Sequence, residues 1–164
     1  ALRTEFIGTP HGGSALARRL VGRLGASLVR ESRARVAEHQ QLIRDNPNTF
    51  SKSVTKRIPR SIDLLEPNAS ILLSMRGLCV APDVKLHSII GTGRPMLLDG
   101  PADGVVSVAS ARHAGVETER FVPTDHVHIH QHPDAVDEII RILTRHYAEF
   151  DRAAAKKSQD PDFT

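Results

Sequence analysis

Three short stretches of this sequence hold side chains whose types and spacing could do chemistry. The densest is Asp125-His126-Val127-His128-Ile129-His130-Gln131-His132, with an imidazole at every second position. On an extended strand that alternation sets all four rings on one face, and imidazole is the commonest metal ligand. A metal-binding module using His126, His128, His130 and His132 is therefore one reading. However, Pro123 and Pro133 bound the run and no cysteine lies near it, which suits a loop better than a regular strand or a zinc site. In a loop at the end of a sheet, one of these histidines can serve as a general base. The second stretch is Asp103-Gly104-Val105-Val106. An acid just past a strand stands at the carboxyl edge of a parallel sheet, where α/β proteins build their sites; an Asp-Gly pair is equally an ordinary turn. The third is Thr9-Pro10-His11-Gly12-Gly13-Ser14, a glycine-rich turn whose backbone N–H groups could hold an anion. Ser14, Asp103 and His126 follow the Ser, Asp, His chain order of one kind of catalytic triad. A nucleophile turn of that kind needs Gly-x-Ser-x-Gly, and Leu16 stands where its second glycine belongs. Ser14 is better explained as a helix cap.

These stretches need elements to position them. Leu2 to Gly8 reads as a strand, broken by Thr9-Pro10-His11-Gly12-Gly13. Leu16, Leu20, Leu24 and Leu28 recur every fourth residue after Ser14, which predicts an amphipathic helix to about residue 32. Residues 33–80 read as an irregular excursion of short helices. Lys85 to Gly91 is a second strand, followed by a Gly/Pro-rich loop to Asp103, and Arg120-Phe121-Val122 a third. Pro133 suits the first position of a final helix. Acids crowd that helix's start and bases its end, as its dipole prefers, and Val136, Ile139, Ile140, Leu143 and Tyr147 make its expected buried face. The segment 151–164 reads as a charged, disordered tail. Strands alternating with long crossovers predict an α/β domain with a parallel sheet flanked by helices over residues 1–150. Three strands are few for that class, and a bare apolar edge implies further strands outside this segment.

The 164 residues suffice for one domain with a real core. No apolar run of about 18 residues is present to form a spanning helix. The lone Cys79 excludes an intrachain disulfide and leans towards a reducing, cytoplasmic compartment. Charge is uneven: residues 1–60 carry twelve Lys/Arg against four Asp/Glu, and the remainder ten against fifteen. The basic half holds only two aromatics, Phe6 and Phe50, and so no evident stacking platform; a solvated helix face explains it and no nucleic-acid partner is expected.

Taken together, Phe6 to Ser14, Ser61-Ile62-Asp63-Leu64-Leu65, His87 to Gly91, Asp103 to Val106, and Asp125-His126 through Ala135 resemble the corresponding segments of bacterial α/β-hydrolase serine esterases and lipase-like proteins. The resemblance spans the chain to about residue 147 and covers only that family's C-terminal half. It implies that the three strands are the sixth, seventh and eighth of eight, and that residues 33–80 form the cap or lid region. It also implies that Asp103 is the triad acid and His126 the base, with His128 as the alternative. His11 would line the site. The nucleophilic serine and both oxyanion donors belong to that family's N-terminal half. The expected parent is an enzyme cleaving carboxylic esters of small molecules or lipids with no cofactor. This chain is then expected to be inactive without the missing half.

Overall fold

The computed structural model describes residues 2–17, 32–50, 52–56, 58, 62–97 and 99–158. The chain divides into two compact units, residues 1–12 with 77–164, and residues 13–76. The first is a mixed α/β unit. Strands β1 (Leu2–Ile7), β2 (Val84–Gly91) and β3 (Val116–Val122) form one sheet in the order β1-β2-β3. Both pairings are parallel: Leu2 to Ile7 align with Val84 to Ile89, and Leu86 to Gly91 with Val116 to Val122. β3 begins at Val116, four residues before the short strand that its apolar residues predict, and its register against β2 shifts between Leu86 and His87. β2 is central and buried from Leu86 to Gly91; Leu86, Ile89 and Ile90 supply its apolar contacts, and His87 and Ser88 are buried with them.

Neighbouring β2 residues point to opposite faces, which gives the unit two small cores. Ile89 packs with Val122, Ile129 and Ala135. Ile90 packs with Val106 and Ala111.

In the second unit, helices α1 (Arg33–Asp45), α2 (Lys52–Lys56) and α3 (Ser70–Arg76) and a 3-10 turn at Asp63–Leu65 are all short. The Ser32 hydroxyl caps α1 by accepting from the Arg35 N–H at 3.3 Å. The His39 Nε2–H donates to the Val54 carbonyl at 2.8 Å and ties α1 to α2. Ala15 to Ala17 begin a helical turn; the rest of the helix expected to about residue 32 falls at 18–31, outside the described residues.

In the first unit, α4 (Val108–Ala111) lies on the Ile90 side of the sheet and α5 (Pro133–Ser158) on the Ile89 side. α5 takes in residues 151–158 of the segment expected as a disordered tail, because Ala153, Ala154 and Ala155 favour helix and no Gly or Pro interrupts them. Its buried face also differs from expectation. Ala135 and Ile142 are buried and Ile139 packs on the core, whereas Val136, Ile140, Leu143 and Tyr147 are exposed. Charge sets this rotation. The amino ends of the strands present Arg3, Lys85, Glu117 and Thr118, and α5 turns Glu138, Arg145 and Glu149 towards them.

His87 sits at the centre of that layer, 1% exposed. Arg3 can only donate, so His87 Nε2 accepts from Arg3 Nη1 at 3.1 Å and its proton sits on Nδ1, donated to Thr118 Oγ1 at 2.9 Å. The Thr118 hydroxyl donates onward to Glu138 at 3.0 Å, and Arg141 holds the same carboxylate through two bonds. Burial, and then the Arg3 guanidinium, push the His87 pKa below its ordinary 6.5. A base held neutral in the fold adds stability that is fully present above its unfolded pKa and is lost progressively as pH falls from there through its lowered folded pKa. Urea unfolding between pH 7.5 and pH 5 should therefore show falling stability, with a shallower slope in His87→Gln. An unchanged slope in that variant would remove His87 as the cause.

Candidate active site

Two loops at the carboxyl edge of the sheet bring the predicted pair together. The first leaves β2 at Gly91, and the Arg94 N–H bonds to the Ala102 carbonyl at 3.0 Å, fixing the approach to Asp103. Gly104, at φ +91°, turns the chain back in the left-handed region that glycine adopts at little cost. This turn aims the backbone N–H groups of Val105 and Val106 at Asp103 Oδ1, 2.9 and 2.7 Å away. The side chain of Asp103 is 2% exposed.

The second loop leaves β3 at Val122. The Thr92 N–H bonds the Val122 carbonyl at 2.8 Å and the Gly93 N–H bonds the Thr124 carbonyl at 2.9 Å, so the two loops are stitched side by side. The His126 N–H then donates to the Asp103 carbonyl at 3.0 Å. The side chains meet as well: His126 Nδ1 lies 2.7 Å from Asp103 Oδ2. Facing an acceptor-only carboxylate, Nδ1 carries the proton, and Nε2 is left with its lone pair. The ring is one-third exposed. It is a histidine held in one tautomer by a buried acid.

Glycines make this close approach possible. A methyl at Gly8 would lie 3.2 Å from the His126 ring and 2.9 Å from Ile129 Cδ1; one at Gly91 would lie 2.7 Å from Asp103 Cβ. Ile129, 1% exposed, fills the space beside both glycines and anchors the histidine loop in the Ile89 core. Nothing local in the sequence marks Gly91, Gly93 or Ile129 as positioning residues, because their importance lies in contacts between distant segments.

The other histidines have separate employments. His128 pairs with Asp125 at 2.7 Å on the surface, and its hydrogen bond holds the Asp125 carboxyl below its ordinary range. His130 contacts Gln131, and His132 Nδ1 accepts the Asp134 N–H at 3.2 Å in the first turn of α5. Residues 126–128 form a turn and Ile129–Gln131 a 3-10 turn, so the extended backbone that would align four rings is absent there. Among the described residues, no group of three or more His, Cys, Asp or Glu could hold a metal ion. Ser14 belongs to the second unit, where its N–H bonds the Leu65 carbonyl at 2.7 Å and its carbonyl accepts from Ala17. His11 packs edge-on against Phe6 at 4.5 Å and against His113 at 4.8 Å. Burial, and then His113, lower its pKa from the ordinary 6.5.

A bacterial lipase has a similar structure. It is BlEst2 of Bacillus licheniformis in its mature form, 18% identical, with a TM-score of 0.46 over 79% of this chain and 49% of that one. The chain thus spans about half the length of that lipase. No family model and no curated protein matches the chain.

Proposed function

We propose that this chain supplies the acid and the base of a Ser-His-Asp ester hydrolase of the α/β-hydrolase kind, and that the nucleophilic serine and the oxyanion donors come from residues outside this segment. The 2.7 Å contact between His126 Nδ1 and the buried Asp103 carboxylate carries the reading. In the forward step Nε2 of His126 takes the proton of the serine hydroxyl as the serine oxygen attacks the ester carbonyl. The same nitrogen returns that proton to the departing alkoxide, leaving an acyl-enzyme; water, activated by the same base, releases the acid. Asp103 keeps the ring in its tautomer and stabilises the imidazolium that forms in each half-reaction. Carboxylic esters are the substrate class that the resemblance of the three motifs implies. His128 is the weaker candidate for the base, because it is exposed and its acid, Asp125, is only partly buried, whereas Asp103 is buried between the loops.

Two measurements test this. The purified 164-residue chain should not hydrolyse a p-nitrophenyl ester above background; hydrolysis abolished by His126→Ala would return Ser14 to candidacy as nucleophile. A parent sequence encoding Gly-x-Ser-x-Gly upstream of Ala1 should give an active esterase, and His126→Ala should lower its kcat by at least about 10⁴-fold, while His128→Ala should change it little. The reverse ranking would exchange the two histidines. A full-activity His126→Ala parent would end the proposal.

A further inference from the structure

The long helix meets the sheet through two chemically different halves. Towards its start the contact is apolar: Ala135 and Ile142 are buried and Ile139 packs on the Ile89 core. Among the described residues of α5, Ile142 is the last that is buried. Beyond it Leu143, Tyr147 and Phe150 are exposed, and the side chains that reach the strands are charged. Arg145 pairs with Glu117 at 3.4 Å, and Glu149 pairs with Arg3 at 2.7 Å and with Lys85 at 3.2 Å. Ion pairs therefore dock residues 143–158 where apolar contacts dock the first half.

Arg3 is the centre of those pairs, its side chain 5% exposed, and its position depends on a base. His87 Nε2 accepts from Arg3 Nη1 at 3.1 Å while Nη2 of the same guanidinium pairs with Glu149. Protonation of His87 would put an N–H where that lone pair is. Donor would then face donor, and two cations would stand side by side away from water. The neighbouring groups offer little relief. Arg3, Lys85 and Arg145 already share Glu117 and Glu149, and Glu117 is the carboxylate 3.6 Å from His87 Nε2. Glu138 is committed to Thr118 and Arg141. Glu5, opposite His87 on β1, has its pKa raised by burial and then by Glu138, so acid neutralises it early. The half-buried His146, one turn beyond Ile142, can add only positive charge, and Asp151 and Arg152 are exposed. We propose that His87 is a proton-operated latch for the second half of α5. Neutral, it holds Arg3 on Glu149 and keeps residues 143–158 docked; protonated, it frees Arg3 and releases them, while the apolar half stays on the sheet. The latch lies at the amino ends of the strands and stands or falls separately from the esterase reading.

Hydrogen exchange of the purified chain, followed by mass spectrometry from pH 7.5 to pH 5 and corrected for intrinsic rates, tests it. Amides of residues 143–158 should open separately from those of β2, at lower protection. Below the ordinary histidine pKa of 6.5 their protection should fall by up to about tenfold per pH unit, the slope of a single proton. Glu149→Gln should lower it at least about tenfold at pH 7.5 with β2 still protected, whereas Asp151→Asn should leave the segment docked. His87→Gln should abolish the pH dependence. One shared opening of the segment and β2 overturns the proposal, as does a slope that persists in His87→Gln or a Glu149→Gln chain that stays docked. Should His87→Gln lose protection throughout, the His87 titration followed by NMR decides. Docking and proton binding are reciprocally linked, so Glu149→Gln should raise the His87 pKa towards 6.5. Loss of a carboxylate without release would lower that pKa or leave it in place, and either result overturns the latch.

Discussion

Asp103→Ala should destabilise the fold by about 3 kcal/mol and release the His126 ring, whereas Asp103→Asn should retain most of the stability and still disable the base. The contrast follows from how the two carboxylate oxygens are used. Oδ1 accepts the N–H groups of Val105 and Val106, and the second of these lies in a buried environment. Alanine leaves both donors without their partner, and an unmet buried donor costs about 1–3 kcal/mol. Asparagine keeps an oxygen for those two N–H groups. On the other side, however, it presents an amide NH₂ to His126 Nδ1, where Oδ2 now accepts. The ring must then become an acceptor at Nδ1 and carry its proton on Nε2, the wrong tautomer for a base. In the proposed catalytic parent that change alone should lower kcat by about 10⁴-fold, the size of effect seen for the same substitution in serine-protease triads. Thermal unfolding of the chain should show a fall in Tm of roughly 10 °C for alanine and a small change for asparagine. The Nδ1–H proton resonance of His126 should vanish in both. An alanine variant as stable as the original, with that resonance intact, would mean that the pair is incidental.

Much of this was legible in the sequence, and the reason lies in what a sequence encodes locally. The strand β2 was legible at Lys85 to Gly91 although His87 and Ser88 interrupt its apolar residues, and the sequence also pointed to Asp103 and His126, whose side chains the two loops bring to 2.7 Å. Period alone misled at the histidine run, because four rings share a face only on extended backbone and these residues turn instead. Period also misjudged α5, where two apolar stripes of similar spacing compete. On the buried side, α5 meets the charges of Arg3, Lys85 and Glu117 and the hydroxyl of Thr118, contributed by three other segments. The network through His87 was hidden for the same reason: a histidine in a strand acquires meaning only when Arg3 and Thr118 close on it from both neighbouring strands.

The same dependence on distant contacts makes a single methyl at Gly93 damaging to the site. A Cβ built there would stand 2.6 to 2.7 Å from the N, Cα and C atoms of Thr124. Backbone cannot rotate away as a flexible side chain does, so the two loops must separate. Thr124 precedes His126 by only two residues, and the Gly93–Thr124 bond at 2.9 Å is one of the stitches holding the loops in register. Gly93→Ala should therefore cost about 1–3 kcal/mol in stability as an overpacking substitution. It should also lengthen the His126–Asp103 contact enough to weaken the Nδ1–H resonance, and in the catalytic parent a displacement near 1 Å is worth about 10²-fold in rate. Gly100→Ala is the matched control. It forces alanine into a left-handed φ of +71° but meets nothing within 4 Å, so it should cost stability through backbone strain alone and leave the resonance and the rate intact. If both variants lose stability equally and neither touches the His126 signal, the loops position the dyad less tightly than the clash at Gly93 demands. If only Gly93→Ala disturbs it, the close passage of two backbones at a glycine, rather than the hydrogen bond alone, holds acid and base at reacting distance.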